Sequence, residues 1–472
     1  MSEMRLNVSS VRERPRLAFC PIGKQLFSHE AALRHKQQIQ GVMGNLPFEC
    51  VDLEDVLQDG MVRDQSQVDA AVQYFRDKAV DALFIPHCNF GTEGAAGLIA
   101  HKLGLPTLLW GPRDGAPESD GTRQTDTLCG LFATSKVLHK LAVPFTYLPN
   151  VACTEDAWRR GMRAFAGGVQ ASKVLRRGAR IGMIGQRIDF FWSTISNESE
   201  LLEKFQIEVL PLDMVVFIEA VKKRAKQCNY RDEINQLRAQ CHIEDMPDAP
   251  LAEVLAVRDV VFELAETHSL DAMTCQSFMS LPQAVGAWTV FADSLIGDHF
   301  PFVLESDLCG AISALLLQRA SLGQPAFLTD LTTRHPQNDN AVLLWHCGAP
   351  LSLKHPNDKL RLGRHWIIPS ELSGMTHFRL KDGPITCARF DGDRGCYELA
   401  VGEGHSCAGP DTQNNYVWME VNDWPRWERT LMEGPFMHHI GMVYNHCADA
   451  LREAVKFVPD VILRDLDKER QS

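Results

Sequence analysis

The stretch "VDALFIPHCNFGTEGAAGLIAHKLGLPTLLWGP" constrains the fold more than any other part of the chain. Two short apolar runs, "ALFIP" and "PTLLW", flank a small-residue segment that follows Gly91. Runs of this length without polar alternation suit strands buried on both faces. Strand, helix and strand in that order imply parallel pairing through a right-handed crossover. The pattern recurs. "RLAFCPIG" closes on Pro and Gly, and a helical stretch follows with Ile39, Val42 and Met43 on one face and Gly44 as its stop. "FECVDL" reads as the next strand. A second series contains "ARIGMIG", "FQIEVLPLD" and "LDAMTCQSF" as strands, with "DMVVFIEAVKKRAKQC" and "LAEVLAVRDVVFELAETHSL" as helices. In the latter, Val254, Val257, Val261 and Leu264 recur at helical spacing.

After about residue 324 the character changes. "LRLGRHWIIP", "MTHFRLKDGPITCARFDGDRGCYELAVGEGHS" and "NNYVWMEV" are short β-rich runs separated by Gly, Asp and Pro turn signals. They predict an antiparallel barrel or sandwich, closed by a helix at "NHCADALREAVKFV" and a frayed charged tail, "RDLDKERQS". A chain of 472 residues exceeds one hydrophobic core. The expected class is α/β, with two Rossmann-like doubly wound domains at 1–150 and 151–323. A β-rich, barrel-like domain at 324–472 follows. Glu305 falls in the second domain, and Asp330 and His439 in the third.

Charge and cysteine usage narrow the function classes. A net charge of −12 disfavours nucleic acid or an anionic membrane as partner, because phosphate binding needs a positive field. The 14 cysteines form no CxxC pair, which points to reduced thiols and a cytoplasmic protein. The first residues carry no signal-peptide apolar core, and no run approaches the length of a membrane span. There is no GxGxxG and no GxxxxGK[ST]; "IGMIGQR" has glycines after a strand without phosphate-loop spacing.

Three separated pieces carry the chemistry. "FVLESDLCGAISAL" places Glu305 and Asp307 after an apolar strand, "PAFLTDLTTRHP" places Asp330 at the end of another, and "GPFMHHIG" holds His438 and His439. Carboxylate, carboxylate and imidazole are the ligand types of a divalent site such as Mn²⁺. Strand ends are where α/β sites are built. An acid after a strand is also the ordinary N-cap of the next helix, so spacing alone leaves both readings open.

These pieces together resemble the L-fucose isomerase and L-arabinose isomerase superfamily. The likeness also takes in "VLLWHCGAP" and "GPITCARFDGDRGCYELAVGEGH", in the same order along most of the chain. It implies a cytoplasmic aldose–ketose isomerase of a monosaccharide, dependent on Mn²⁺ or another divalent cation such as Co²⁺ or Mg²⁺. It further implies a homo-oligomer, trimer or hexamer, whose pocket a neighbouring subunit completes. By that resemblance Glu305 and Asp330 are metal ligands and the acid–base pair. In the "HH", the second histidine, His439, matches the ligand and His438 a pocket residue. His346 in "LLWHCG" stands where the arabinose branch has a further histidine, and ranks below the other three. The loop "PIGKQLFSHEAA" with Lys24, Gln25 and His29 would help form a neighbour's substrate pocket.

The chemistry fits. A C–H beside a carbonyl is a weak acid; a cation stabilises the developing enediolate, and two carboxylates shuttle the protons. Gln276, ending "MTCQ", is a candidate for a sugar hydroxyl or a plain capping residue. Arg113 and Asp114 open a long polar loop. Trp366, Trp418, Trp424 and Trp427 suit sugar stacking or ordinary packing. "CHIED" lacks the further ligands a zinc site needs. A different metal-dependent sugar enzyme, an epimerase or lyase, and a non-catalytic sugar-binding protein remain as alternatives.

Overall fold

Residues 14–368 and 371–468 are described by a computed structural model. They divide into two compact units: residues 14–172 with 453–457, and residues 173–452 with 458–468. The first unit holds strands β1 (Arg16–Phe19), β2 (Glu49–Val51), β3 (Ala82–Pro86), β4 (Thr107–Trp110) and β5 (Phe145–Tyr147). They form one parallel sheet in the order β2-β1-β3-β4-β5. Every residue of β3 and β4 is buried, as the unbroken apolar runs require of strands covered on both faces. The helix between them, Glu93–Leu103, is built of small residues and ends on Gly104 in the left-handed conformation.

The second unit opens with β6 (Arg180–Ile184), β7 (Glu208–Leu212), β8 (His242–Ile243), β9 (Ala272–Cys275) and β10 (Phe302–Leu304). Of these, β10-β9-β6-β7 is a second parallel sheet. Its strand order brings the carboxyl ends of β10, β9 and β6 side by side, which is where ligands sit in open α/β sheets.

The rest of this unit is β-rich: β11 (Ala326–Arg334), β12 (Ala341–His346), β13 (Arg361–Arg364), β14 (Ser373–Arg379), β15 (Pro384–Asp393), β16 (Cys396–Cys407), β17 (Asn415–Glu420), β18 (His439–Val443) and β19 (Val461–Asp465). Six of these strands close into an antiparallel barrel, β16-β15-β18-β11-β12-β17, because the far end of the long strand β16 also pairs with β17. The β15–β16 hairpin turns on Arg394 and Gly395, both at positive φ (53° and 77°), as a two-residue loop demands. The barrel interior is packed by Phe327, Leu344, Ile385, Cys387, Met419 and Met442.

The tail departs from expectation. Arg464 and Asp465 finish β19, parallel to β16; Leu466 is buried, and Asp467 accepts from the Glu403 amide at 3.1 Å. An available strand edge orders a segment whose composition reads as a solvated charge run. Residues 469–472 of that tail lie outside the described residues.

Candidate active site

Glu305 follows β10 in a tight turn. It and Ser306 both adopt positive φ (68° and 53°), a conformation that costs energy for any residue with a Cβ and clusters at functional sites. Asp307 then caps the helix Leu308–Ala320 through the Gly310 amide at 2.8 Å. Asp330 lies on β11, directly opposite His439 of β18 and Trp345 of β12. Register, not sequence proximity, therefore brings the acid and the imidazole together.

The groups converge closely. His439 Nε2 lies 3.1 Å from Glu305 Oε2 and 3.4 Å from Asp330 Oδ1. Those three atoms are buried and make no hydrogen bond. Unpaired buried polar atoms are expensive, so two acid oxygens that both face one imidazole nitrogen mark a place for another partner. Glu305, His346 and His439 offer ligand atoms within 4.8 Å of one another, as do Asp330, His438 and His439. Carboxylate and imidazole are donor types that suit a divalent cation, and each of these two groups supplies both.

Hydrogen bonding separates the histidines. The His439 ring faces Asp307 Oδ2 through Nδ1 at 2.8 Å, which makes Nδ1 the donor and aims Nε2 at Glu305 and Asp330. His346 is the reverse: its Nδ1 accepts from the Cys347 amide at 2.8 Å, so the neutral ring carries its proton on Nε2. That nitrogen, 3.8 Å from Asp330 Oδ1, is suited to donate to an oxygen. His438 precedes the first residue of β18, so strand alternation does not send it to the opposite face. It is half exposed, its ring centroid is 4.4 Å from that of His439, and its Nε2 is 3.9 Å from Asp330 Oδ1.

Asp307 is held in turn by Arg389 on β15, whose guanidinium bonds Asp307 at 2.5 and 3.1 Å and Asp391 at 2.7 Å. Burial would raise the Asp307 carboxyl, but Arg389 and His439 outweigh it and hold it well below the usual range. His439 would be lowered by burial, yet Asp307 and Glu305 push it up to about 10. In Glu305 the rise from burial is likewise outweighed by His439 and the neighbouring imidazoles, and its carboxyl lies below the ordinary value. The two acids therefore stay ionised beside these cations, and the imidazole between them is held in its charged form, the place a bound cation would take.

The sequence singled out Asp307 without a role, and gave Arg389 and Asp391 none. The signal was their i, i+2 spacing on a strand, which puts both on one face. Gln276 follows the last residue of β9, and its Nε2 donates to the Gln186 carbonyl at 3.1 Å, leaving Oε1 for another partner. Lys24 and Gln25 belong to the first unit, where with His29, Gln58, Arg63 and Asn89 they line a crevice of about 270 Å³. That crevice lies beyond the carboxyl ends of β1 and β3. Asp114 is a structural group that accepts from Thr125 and Thr127. Trp418, Trp424 and Trp427 are buried, whereas Trp366 is exposed. Among the described residues no helix is long and apolar enough to cross a membrane.

Residues 19–176 match the family described as "Fucose/sulfoquinovose isomerase, N-terminal domain". A sulfoquinovose isomerase of Alkalicoccus urumqiensis is 24% identical over 448 residues, covering 92% of this chain and 96% of that protein. One of Priestia aryabhattai is 22% identical over 396 residues, covering 82% and 84%. A periplasmic solute-binding protein of Actinobacillus succinogenes with bound D-allose aligns at 14% identity over 57% of this chain and 80% of its own, with a TM-score of 0.17, too low to carry an argument. These matches support a fucose-isomerase-like superfamily, and the chain is an aldose–ketose isomerase, an intramolecular oxidoreductase.

Proposed function

We propose that the isomerisation is metal-dependent and that Glu305, Asp330 and His439 hold the ion. The observation that carries this reading is that two buried, unpaired carboxylate oxygens, Glu305 Oε2 and Asp330 Oδ1, both face the unpaired His439 Nε2. A divalent ion such as Mn²⁺ bound there supplies Lewis-acid polarisation of the sugar carbonyl and stabilises the developing enediolate charge. Glu305 and Asp330 move the protons: one carboxylate takes the proton from C2 and returns it to C1, and the other serves the O1/O2 hydroxyl. His346 donates from Nε2 to a substrate oxygen. His438 and Gln276 bind hydroxyls at the mouth, and Asp307 fixes the tautomer of His439.

The first substrate to test is sulfoquinovose, the sugar named for the relatives, an aldohexose with a sulfonate on C6. We read the protein as a cytoplasmic homo-oligomer. The cysteines are all free, as a reducing compartment requires. Lys24 and Gln25 of a neighbouring subunit are the groups suited to complete the pocket. The exposed side chains of Phe190, Trp192, Trp366 and Ile367 support a covered face in the second unit.

The test is product formation by the metal-stripped protein and after addition of Mn²⁺, Co²⁺ or Mg²⁺, with Glu305→Gln and Asp330→Asn alongside. Turnover that survives chelation and both substitutions sinks the reading. A C2-deuterated substrate separates proton transfer from a hydride shift: label lost to solvent supports the enediol, and full retention at C1 opposes it. An epimerised or cleaved product would instead favour the epimerase or lyase.

A further inference from the structure

We propose that Arg187 binds an anionic group at the far end of the sugar chain and so sets the preference for a sulfonated substrate. The inference rests on the isomerase reading above and deepens it. Arg187 follows β6, just beyond Gly185, which takes positive φ (77°) to leave the strand. In the sheet β6 lies next but one to β10, whose end carries Glu305. Two strand spacings are about 10 Å, comparable with an extended six-carbon chain carrying a terminal sulfonate.

Hydrogen bonds and ring contacts tie this loop to the site. The carbonyl of Gln186, one residue before Arg187, accepts from both Ser306 Oγ at 3.2 Å and Gln276 Nε2 at 3.1 Å. Four residues on, the Phe191 ring stands edge-on to His438 and His439, with centroids 6.4 Å from each. Arg187 itself is anchored through one nitrogen only. Its Nη1 donates to the carbonyls of Ile188, Asp189 and Phe191 at 2.7, 3.2 and 3.1 Å. No carboxylate of the described residues lies within ion-pair distance of it. Its positive charge is therefore uncompensated, and the planar guanidinium keeps further N–H donors in the fork that suits tetrahedral oxyanions. By contrast, the cations of the first unit's crevice already have partners: Arg63 bonds Asp59 at 2.7 Å, and Lys24 lies 3.8 Å from Glu93.

The experiment compares wild type, Arg187→Gln and Arg187→Lys on sulfoquinovose and on 6-deoxyglucose, which lacks only the sulfonate, used as substrate or as competing inhibitor. Metal content of each variant reports whether the site is intact. Arg187→Gln should lower kcat/KM for sulfoquinovose by about 10- to 100-fold, mostly through KM, with a much smaller change for 6-deoxyglucose. Arg187→Lys should recover part of the loss. Equal losses on both sugars, or no loss on sulfoquinovose, overturn the proposal. So does a wild-type enzyme that handles the two sugars equally well, which leaves the isomerase reading standing. If wild type with Mn²⁺ isomerises neither sugar, the isomerase reading falls and the role of Arg187 with it.

Discussion

The two parallel sheets end differently. Beyond β1 and β3, the crevice of the first unit is lined by charges that already have partners: Lys24 with Glu93, Arg63 with Asp59, and nearby Lys36 with Glu54 at 2.8 Å. Beyond β10 and at β11 and β18, the second unit gathers Glu305, Asp330 and His439 with their facing atoms unpaired. Both positions are where α/β sheets bind ligands. A surface that satisfies its own charges can position a ligand but has little left to polarise it. A buried cluster whose ligand atoms are unpaired holds that capacity in reserve.

The largest expected effect sharpens that contrast at its centre. Glu305→Gln or Asp330→Asn should lose the metal and reduce kcat/KM by about 10³-fold or more, since each removes a ligand and a proton carrier. His439→Asn should also lose the metal, while His438→Asn should keep it and raise KM; elemental analysis and kinetics on the pair decide between them. Asp307→Asn tests the supporting layer. It should weaken metal binding or activity by about 10- to 100-fold, because the tautomer of His439 is no longer fixed. Lys24→Gln should raise KM by about 10-fold at most and leave metal content alone. A metal loss there would break the comparison.

The smallest effect concerns an acid that is unpaired for another reason. Asp293 is buried, its Oδ2 has no partner, and burial pushes it up to about 8. Between the ordinary carboxylate range and about pH 8 the folded protein keeps this proton and the unfolded chain releases it. Stability therefore falls as pH rises through that window. Asp293→Asn should flatten the fall, by a few kcal/mol at most, with metal content unchanged; denaturant melts at pH 5 and pH 8 measure it. Glu305 differs because its unpaired oxygen faces an imidazole that Asp330 also approaches.

Much of the site was legible because strand ends are legible. An apolar run that stops at an acid names the strand and the group that follows it, as for Glu305; Asp330, read as a strand end, instead lies mid-strand, because β11 runs on to Arg334 through its pairing with β12. The family likeness also set His439 apart from His438, and the structure gives the two rings unequal surroundings, one buried and one half exposed. The reason for the inequality was not legible. It depends on Asp307 reaching His439 Nδ1, a contact across 132 residues. Arg389 was missed for the same cause: an arginine within a strand reads as solvent-facing until its two carboxylates are seen. The tail was misread because composition cannot tell whether a strand edge awaits it.

By itself the sequence determined the two parallel sheets, the β-rich remainder, and the residue types at the strand ends. Those follow from periodicity and from apolar runs, which are local. Only the tertiary structure decided which strands close the barrel, that Asp330 stands opposite His439, and that three acids surround one imidazole. Register and closure rest on pairings between segments far apart in the chain, and periodicity fixes the face a residue takes but not the partner it meets.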